Sequence, residues 1–264
     1  MLIIKLVNFT KGIDINMNER IGEETKNKFG SKMKIIEYRK SEDIDVYFEE
    51  YDWIAKNKQY NNFKIGNIKC PYEPRLYNSG YLGEGKYNSR ENGELTKAYS
   101  TWNSMIQRCC SENFKIKHPT YSECKCCEEW LNFQNFAEWF ENNYYEIEGE
   151  RMHLDKDILT KNNKIYSPDK CIFVPQRIND MFVKKDSNRG ELPIGISVHR
   201  NKFRVSCKIK NGRYCREFTT IEKAFSVYKE LKENYIKEVA DEYKNRIPQR
   251  LYKAMYSYKV EITD

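Results

Sequence analysis

The sequence predicts an α+β protein in consecutive small parts, and three observations carry that expectation. Up to about Tyr87 the chain is a series of short runs rich in β-branched and aromatic residues, separated by turn chemistry. At Tyr99 the apolar period changes to a helical one. From Gly190 to about Tyr243 the chain reads as strand, turn, strand, Asn-Gly, strand and helix. The expected boundaries are residues 1–90, 95–186 and 188–246, with an extension over 247–264. Hydrophobic residues make up 39% of the 264 and charged ones 32%, which suits several thin cores better than one thick one.

The opening "MLIIKLVNFTKG" is too short in its apolar part for an export signal and reads as a first strand. No apolar run approaches the ~20 residues of a membrane span, so a cytoplasmic protein that does not engage a membrane is expected. "KMKIIEY" and "IDVYF" read as strands, and "FKIGNIKCPYEP" with "NSGYLGEGKY" as a last hairpin running into a linker. Close spacing of such strands predicts a small β-barrel-like domain, with a decorated open sheet as the alternative.

Tyr99, Trp102, Met105, Ile106 and Cys109 share a helical face. A second helix is expected in "EEWLNFQNFAEWFENNYY", with Phe133, Phe136, Ala137 and Phe140 inward. The cysteine-laden segment between them reads as irregular loop. Six of the nine cysteines lie between Cys109 and Cys171. Cys124 and Cys127 have the gap that lets two thiolates reach one zinc. Cys109 or Cys110, and Cys171, would complete the site, with His118 another candidate; the other reading is of core cysteines.

In the tail, "KFRVSCKIK" alternates strictly. Phe203, Val205, Cys207 and Ile209 face a helix, while Lys202, Arg204, Ser206, Lys208 and Lys210 face out, the cations about 6–7 Å apart. Arg200 and Arg213 extend the row at the turns. Thr219 and Glu222 form a capping box, and Ala224, Phe225, Tyr228, Leu231, Tyr235 and Val239 make the helix's inner stripe. Such a ribbon fits a DNA major groove, where arginine pairs with guanine and lysine with phosphate. A solvated sheet face is the plainer alternative. The net charge of +7 and 14% aromatics accord with a nucleic-acid partner.

With its "GI" opening, K/R-rich middle strand and "FTTIEKAFSVY" helix start, this stretch resembles the ethylene-response-factor (APETALA) type DNA-binding domain. The resemblance implies double-stranded DNA as partner and Arg200, Lys202, Arg204 and Lys208 as contacts. Phe203 stands near the position of that family's usual tryptophan.

"MHLDKDI", "LTKNNKIYSPDK", "CIFVP" and "QRINDMF" follow one another as strand, loop, strand and helix. With the upstream "YSTWNSMIQRCC…EEWLNFQNFAEWF", they resemble phage-type HNH endonucleases over roughly Tyr99 to Phe182. The pairing of that core with an APETALA-type module is the pattern of phage homing endonucleases. The resemblance implies Asp155 and Asn179 as ligands of a divalent metal such as magnesium, with Lys156 in the slot of the proton-abstracting histidine and Lys170 in that of a loop-steadying asparagine. His153, on Asp155's face of the strand, is a substitute base or ligand or a surface residue. Asp157 is a second acid or a strand cap. A lysine of ordinary pKa about 10.4 accepts no proton at neutral pH unless burial lowers that value; the alternative is a fixed cation against phosphate. Two functions remain open: a metal-dependent DNA endonuclease or nickase, and a non-catalytic binder acting as a regulator or, if phage-encoded, against a host defence protein in the host cytoplasm.

Overall fold

The computed structural model describes residues 19–183 and 192–262, and the expected strand at residues 1–12 lies outside them. The fold is α+β, in two compact units: one comprises the chain up to Ser122 with Glu128–Glu138, the other Glu123–Cys127 with the chain from Trp139 onward.

In the first unit, β1 (Glu24–Lys26), β2 (Lys32–Lys40), β3 (Asp43–Phe48) and β4 (Trp53–Lys58) form an antiparallel sheet in that order. The sheet does not close, because β1 and β4 are its two edges, so the barrel expectation is corrected to an open sheet. Met33 and Ile35 of β2 meet Ile44, Val46 and Phe48 of β3 in a core that also takes Ala55 and Phe63. Phe63 comes from α1 (Tyr60–Lys64). "FKIGNIKC" is thus the end of a helix and a loop rather than a strand. A two-stranded hairpin of β5 (Arg90–Glu91) and β6 (Glu94–Leu95) precedes α2 (Lys97–Cys110).

Thr96 caps α2 by accepting from the Tyr99 amide at 3.2 Å, and Trp102, Met105, Ile106 and Cys109 are buried as the period predicts. The expected loop after it contains α3 (Glu112–Lys117), capped by Ser111. The expected second long helix is broken. A 3-10 turn over Glu128–Leu131 is followed by α4 (Phe133–Asn143), because Asn132 bridges to Tyr81 as a strand residue and its Oδ1 accepts from the Gln134 amide.

The second unit begins with β7 (Lys125–Cys126) and continues with β8 (Met152–Asp155), β9 (Ile165–Tyr166) and β10 (Ile172–Pro175). β7 pairs in parallel with β9, and β8 antiparallel with β10, Asp155 opposite Ile172 and His153 opposite Val174. α5 (Gln176–Phe182) follows directly, with Pro175 fixing its entry. The tail holds β11 (Ile196–His199), β12 (Lys202–Ile209) and β13 (Gly212–Phe218) as an antiparallel sheet, then α6 (Ile221–Tyr243) and α7 (Gln249–Ser257). The α6 cap is Thr220, which accepts from the Lys223 amide, one residue beyond the expected Thr219.

α6 serves two cores along its length. Ala224 and Tyr228 pack with Ile196, Val205 and Cys207 of the sheet. Two turns on, Tyr235, Ile236, Val239, Ala240 and Tyr243 pack with Ile172, Val174 and Ile178 of the hairpin and its helix. Among the described residues no helix is long and apolar enough to cross a membrane.

Candidate functional site

β8 ends at Asp155, and the turn beyond it is made by that side chain. Its Oδ1 accepts from the amides of Asp157 at 2.9 Å and Ile158 at 2.8 Å. Burial, joined by repulsion from the Asp157 carboxylate, pushes Asp155 up to about 6, and the two amide donors offset only part of that.

Lys156 is 8% exposed. Its Nζ donates to Asp157 Oδ2 at 3.0 Å and lies 5.8 Å from the centre of the buried Tyr166 ring. Burial, the largest single influence, pulls its pKa down. Asp157, the Cys124 thiol and Asp155 together outweigh that pull, and the net direction is upward. Lys156 is therefore a built-in cation at neutral pH.

His153 Nε2 is engaged by Gln176 Oε1 at the start of α5, and Gln176 Nε2 donates to Asp180 Oδ1 at 2.5 Å. Asn179 is half-buried and makes no side-chain hydrogen bond among the described residues. This donor set does not suit a divalent cation. One Asp155 oxygen is spent on the turn, and the neighbouring positive charge is already supplied by Lys156. Cys124, Cys127 and Cys171 belong to the second unit and Cys109 to the first. Burial pushes the Cys171 thiol up. Among the described residues no group of three or more His, Cys, Asp or Glu side chains is arranged to hold a metal ion.

The loop between β8 and β10 is steadied by Asn163, which sequence reasoning missed, and not by half-buried Lys170. Asn163 Nδ2 donates to the carbonyls of Lys156 and Ile165, both at 2.7 Å, and its Oδ1 accepts from the Ile165 amide. Asn163→Ala removes three hydrogen bonds, one of them to the buried Lys156 carbonyl, and should cost about 2 kcal/mol. Urea unfolding measures this, and a loss below about 0.5 kcal/mol would show the loop holds without it.

The β12 side chains divide as the alternation predicts, with Val205 and Cys207 buried beneath α6 and Lys202 and Lys208 exposed. The register places Glu217 of β13 opposite Arg204. Its Oε1 accepts from Arg204 Nη2 at 3.0 Å and contacts His199 Nδ1 at 2.6 Å. Arg204 first and then His199 hold the Glu217 carboxyl below its usual range. An acid therefore does interrupt the row. Arg213 donates to Ser206 Oγ at 2.9 Å. Lys208 turns aside, its Nζ 6.0 Å from the Tyr235 ring of α6.

Arg200 and Asn201 take positive φ, 49° and 60°, so the mirror-image two-residue turn is the one between β11 and β12. At "NG" only Gly212 does, at 127°, and the β12–β13 connection turns on Lys210 and Asn211. Protein-family models, curated proteins and solved structures all give no match to this chain.

Proposed function

We propose that the chain binds double-stranded DNA through the outer face of its β11–β13 sheet, and that its β8–β10–α5 hairpin and helix is an HNH-type frame retained as scaffold rather than as a cutting centre. The observation that carries the reading is the two-sidedness of β12. Its inner face is filled by α6, while Lys202, Arg204 and, across the ladder, Arg213 stand outward, with Arg200 exposed at the turn. Exposed cations at strand spacing can follow the phosphates flanking a groove, and an arginine among them can reach base edges. The resemblance to APETALA-type domains supports the same surface. The non-cutting half rests on Lys156, whose raised pKa and Asp157 pairing suit a fixed cation and not a proton acceptor.

The test is duplex binding by fluorescence anisotropy across a salt series. Lys202→Met with Arg204→Met should weaken binding and shallow the salt slope by about two phosphate equivalents, each worth roughly 0.9 in the logarithmic slope. Glu217→Gln, which frees Arg204 and removes a negative charge, should tighten binding severalfold. If both variants bind as the wild type does, the sheet is not the DNA surface. In parallel, supercoiled plasmid with magnesium or manganese should stay intact. Nicking that is abolished by chelator and by Asp155→Ala would establish the endonuclease reading instead.

A further inference from the structure

Gly149–Arg151, α5, the end of β12 and the middle of α6 line an open cavity of about 560 Å3 within the second unit. That is within the usual range for a small-ligand site. Four cations line it, Arg151, Arg177, Lys208 and Lys232, against two acids, Glu150 and Asp180. Arg177 is held by Glu242 at 2.7 Å, Glu150 takes the Tyr243 hydroxyl, and Asp180 takes the Gln176 amide. The other three cations, Arg151, Lys208 and Lys232, form no ion pair among the described residues.

Lys232 is the unusual one. It lies four residues after Tyr228 and three before Tyr235, on the stripe of α6 that is otherwise buried. Lysine is seldom placed on such a stripe without a counter-charge. Burial pulls its pKa down, and Lys208 pushes the same way, while the Cys207 thiol pulls up. Lys208, Lys232 and Arg151 outnumber the two carboxylates of the lining and leave an excess of positive charge at the cavity.

We infer that this cavity is a phosphate-binding site, in which Lys232, Lys208 and Arg151 receive the oxygens of one phosphate group. The group is either a backbone phosphodiester of DNA already held on the sheet or the phosphate of a free nucleotide. The first source rests on the DNA-binding reading above; the second does not.

The experiment uses the full chain, wild type and Lys232→Met, which keeps the stem and removes the charge. Two titrations are read: a 20-base-pair duplex by anisotropy across salt, and thermal unfolding with inorganic phosphate or AMP. If the source is DNA, Lys232→Met weakens duplex binding about fivefold and shallows the slope by about one equivalent. If the source is a free phosphate, phosphate or AMP raises the wild-type midpoint and the rise is lost in the variant, whatever happens to DNA. Should the wild type fail to bind duplex at all, the DNA reading falls while the phosphate arm still decides the cavity. Equal responses of variant and wild type in both titrations overturn the proposal. Arg151→Met with Lys208→Met repeats the comparison if Lys232→Met does not fold.

Discussion

Asp155→Asn is expected to stabilise the protein at neutral pH by about 2 kcal/mol, whereas Asp155→Ala should destabilise it. The Asn Oδ1 can still accept from the Asp157 and Ile158 amides that define the turn, while Ala leaves both without a partner. What Asn removes is a carboxylate whose pKa is raised from 3.8 to about 6. Between those values the folded chain holds a proton that the unfolded chain has released. Stability from this group is therefore present below pH 4 and lost as pH rises through 6. At 1.36 kcal/mol per pH unit the whole loss is at most about 3 kcal/mol, less whatever the coupling to Asp157 takes from this side chain. Groups with lowered pKa, such as Asp43 and Glu217, act in the opposite sense, so the quantity to read is the difference between variant and wild type. Urea unfolding at pH 4.5 and 7.5 should show that difference growing with pH. A variant no more stable than wild type at pH 7.5 would mean that Asp155 is not destabilised by its setting. Duplex affinity should hold, because the proposed DNA surface is the β11–β13 sheet and Asp155 belongs to the β8–β10 hairpin.

The parts of this chain that are legible in its sequence are those governed by local period. The β12 alternation places Val205 and Cys207 inward, and the stripe Trp102, Met105, Ile106, Cys109 places α2 correctly, because each face is set by residues a few positions apart. β4 escapes that reading, since "WIAKNK" carries only Trp53 and Ala55 toward the core, beside exposed Ile54, Lys56 and Asn57. Barrel closure is a question about which edge meets which, and no run of residues encodes it. The same limit governs the candidate sites. Glu217 is visibly an acid in "RYCREF", but that it lies opposite Arg204 depends on the β12–β13 register. Lys156 is visible in the sequence as a cation beside its neighbour Asp157, yet its position over Tyr166 depends on the loop that pairs Tyr166 with Cys126 of "CKCC". The repeat Tyr235, Val239, Tyr243 continues the α6 stripe in the sequence. That it leaves the tail sheet and packs on the hairpin's core is a tertiary fact.

Gly195→Ala is the other substitution expected to have a large effect, and it tests the seat of the proposed DNA surface. Gly195 has φ of +77°, and a Cβ there would lie 2.0 Å from Tyr228 Cε2 and 2.3 Å from Cδ2. Its carbonyl accepts from the Ser206 amide at 2.9 Å, so the backbone cannot swing away without breaking the sheet's first pairing. Tyr228 is 5% exposed and packed against Val205 and Ala224, so its ring cannot yield freely. Left-handed strain of about 1 kcal/mol or more and overpacking of about 1–3 kcal/mol add to an expected loss of roughly 3 kcal/mol. In a chain of this size that is a fall of about 6–12 °C in the thermal midpoint, with duplex binding lost over the same interval. A midpoint within about 2 °C of wild type would show that the sheet is not seated on α6 as described. Tyr228→Ala separates the two causes. It carries its own cavity cost, but in the double variant Gly195→Ala meets open space and retains only its backbone strain. The two losses should therefore sum to more than the double variant shows, by about 1–2 kcal/mol of coupling, whereas a purely conformational penalty at Gly195 would leave them additive.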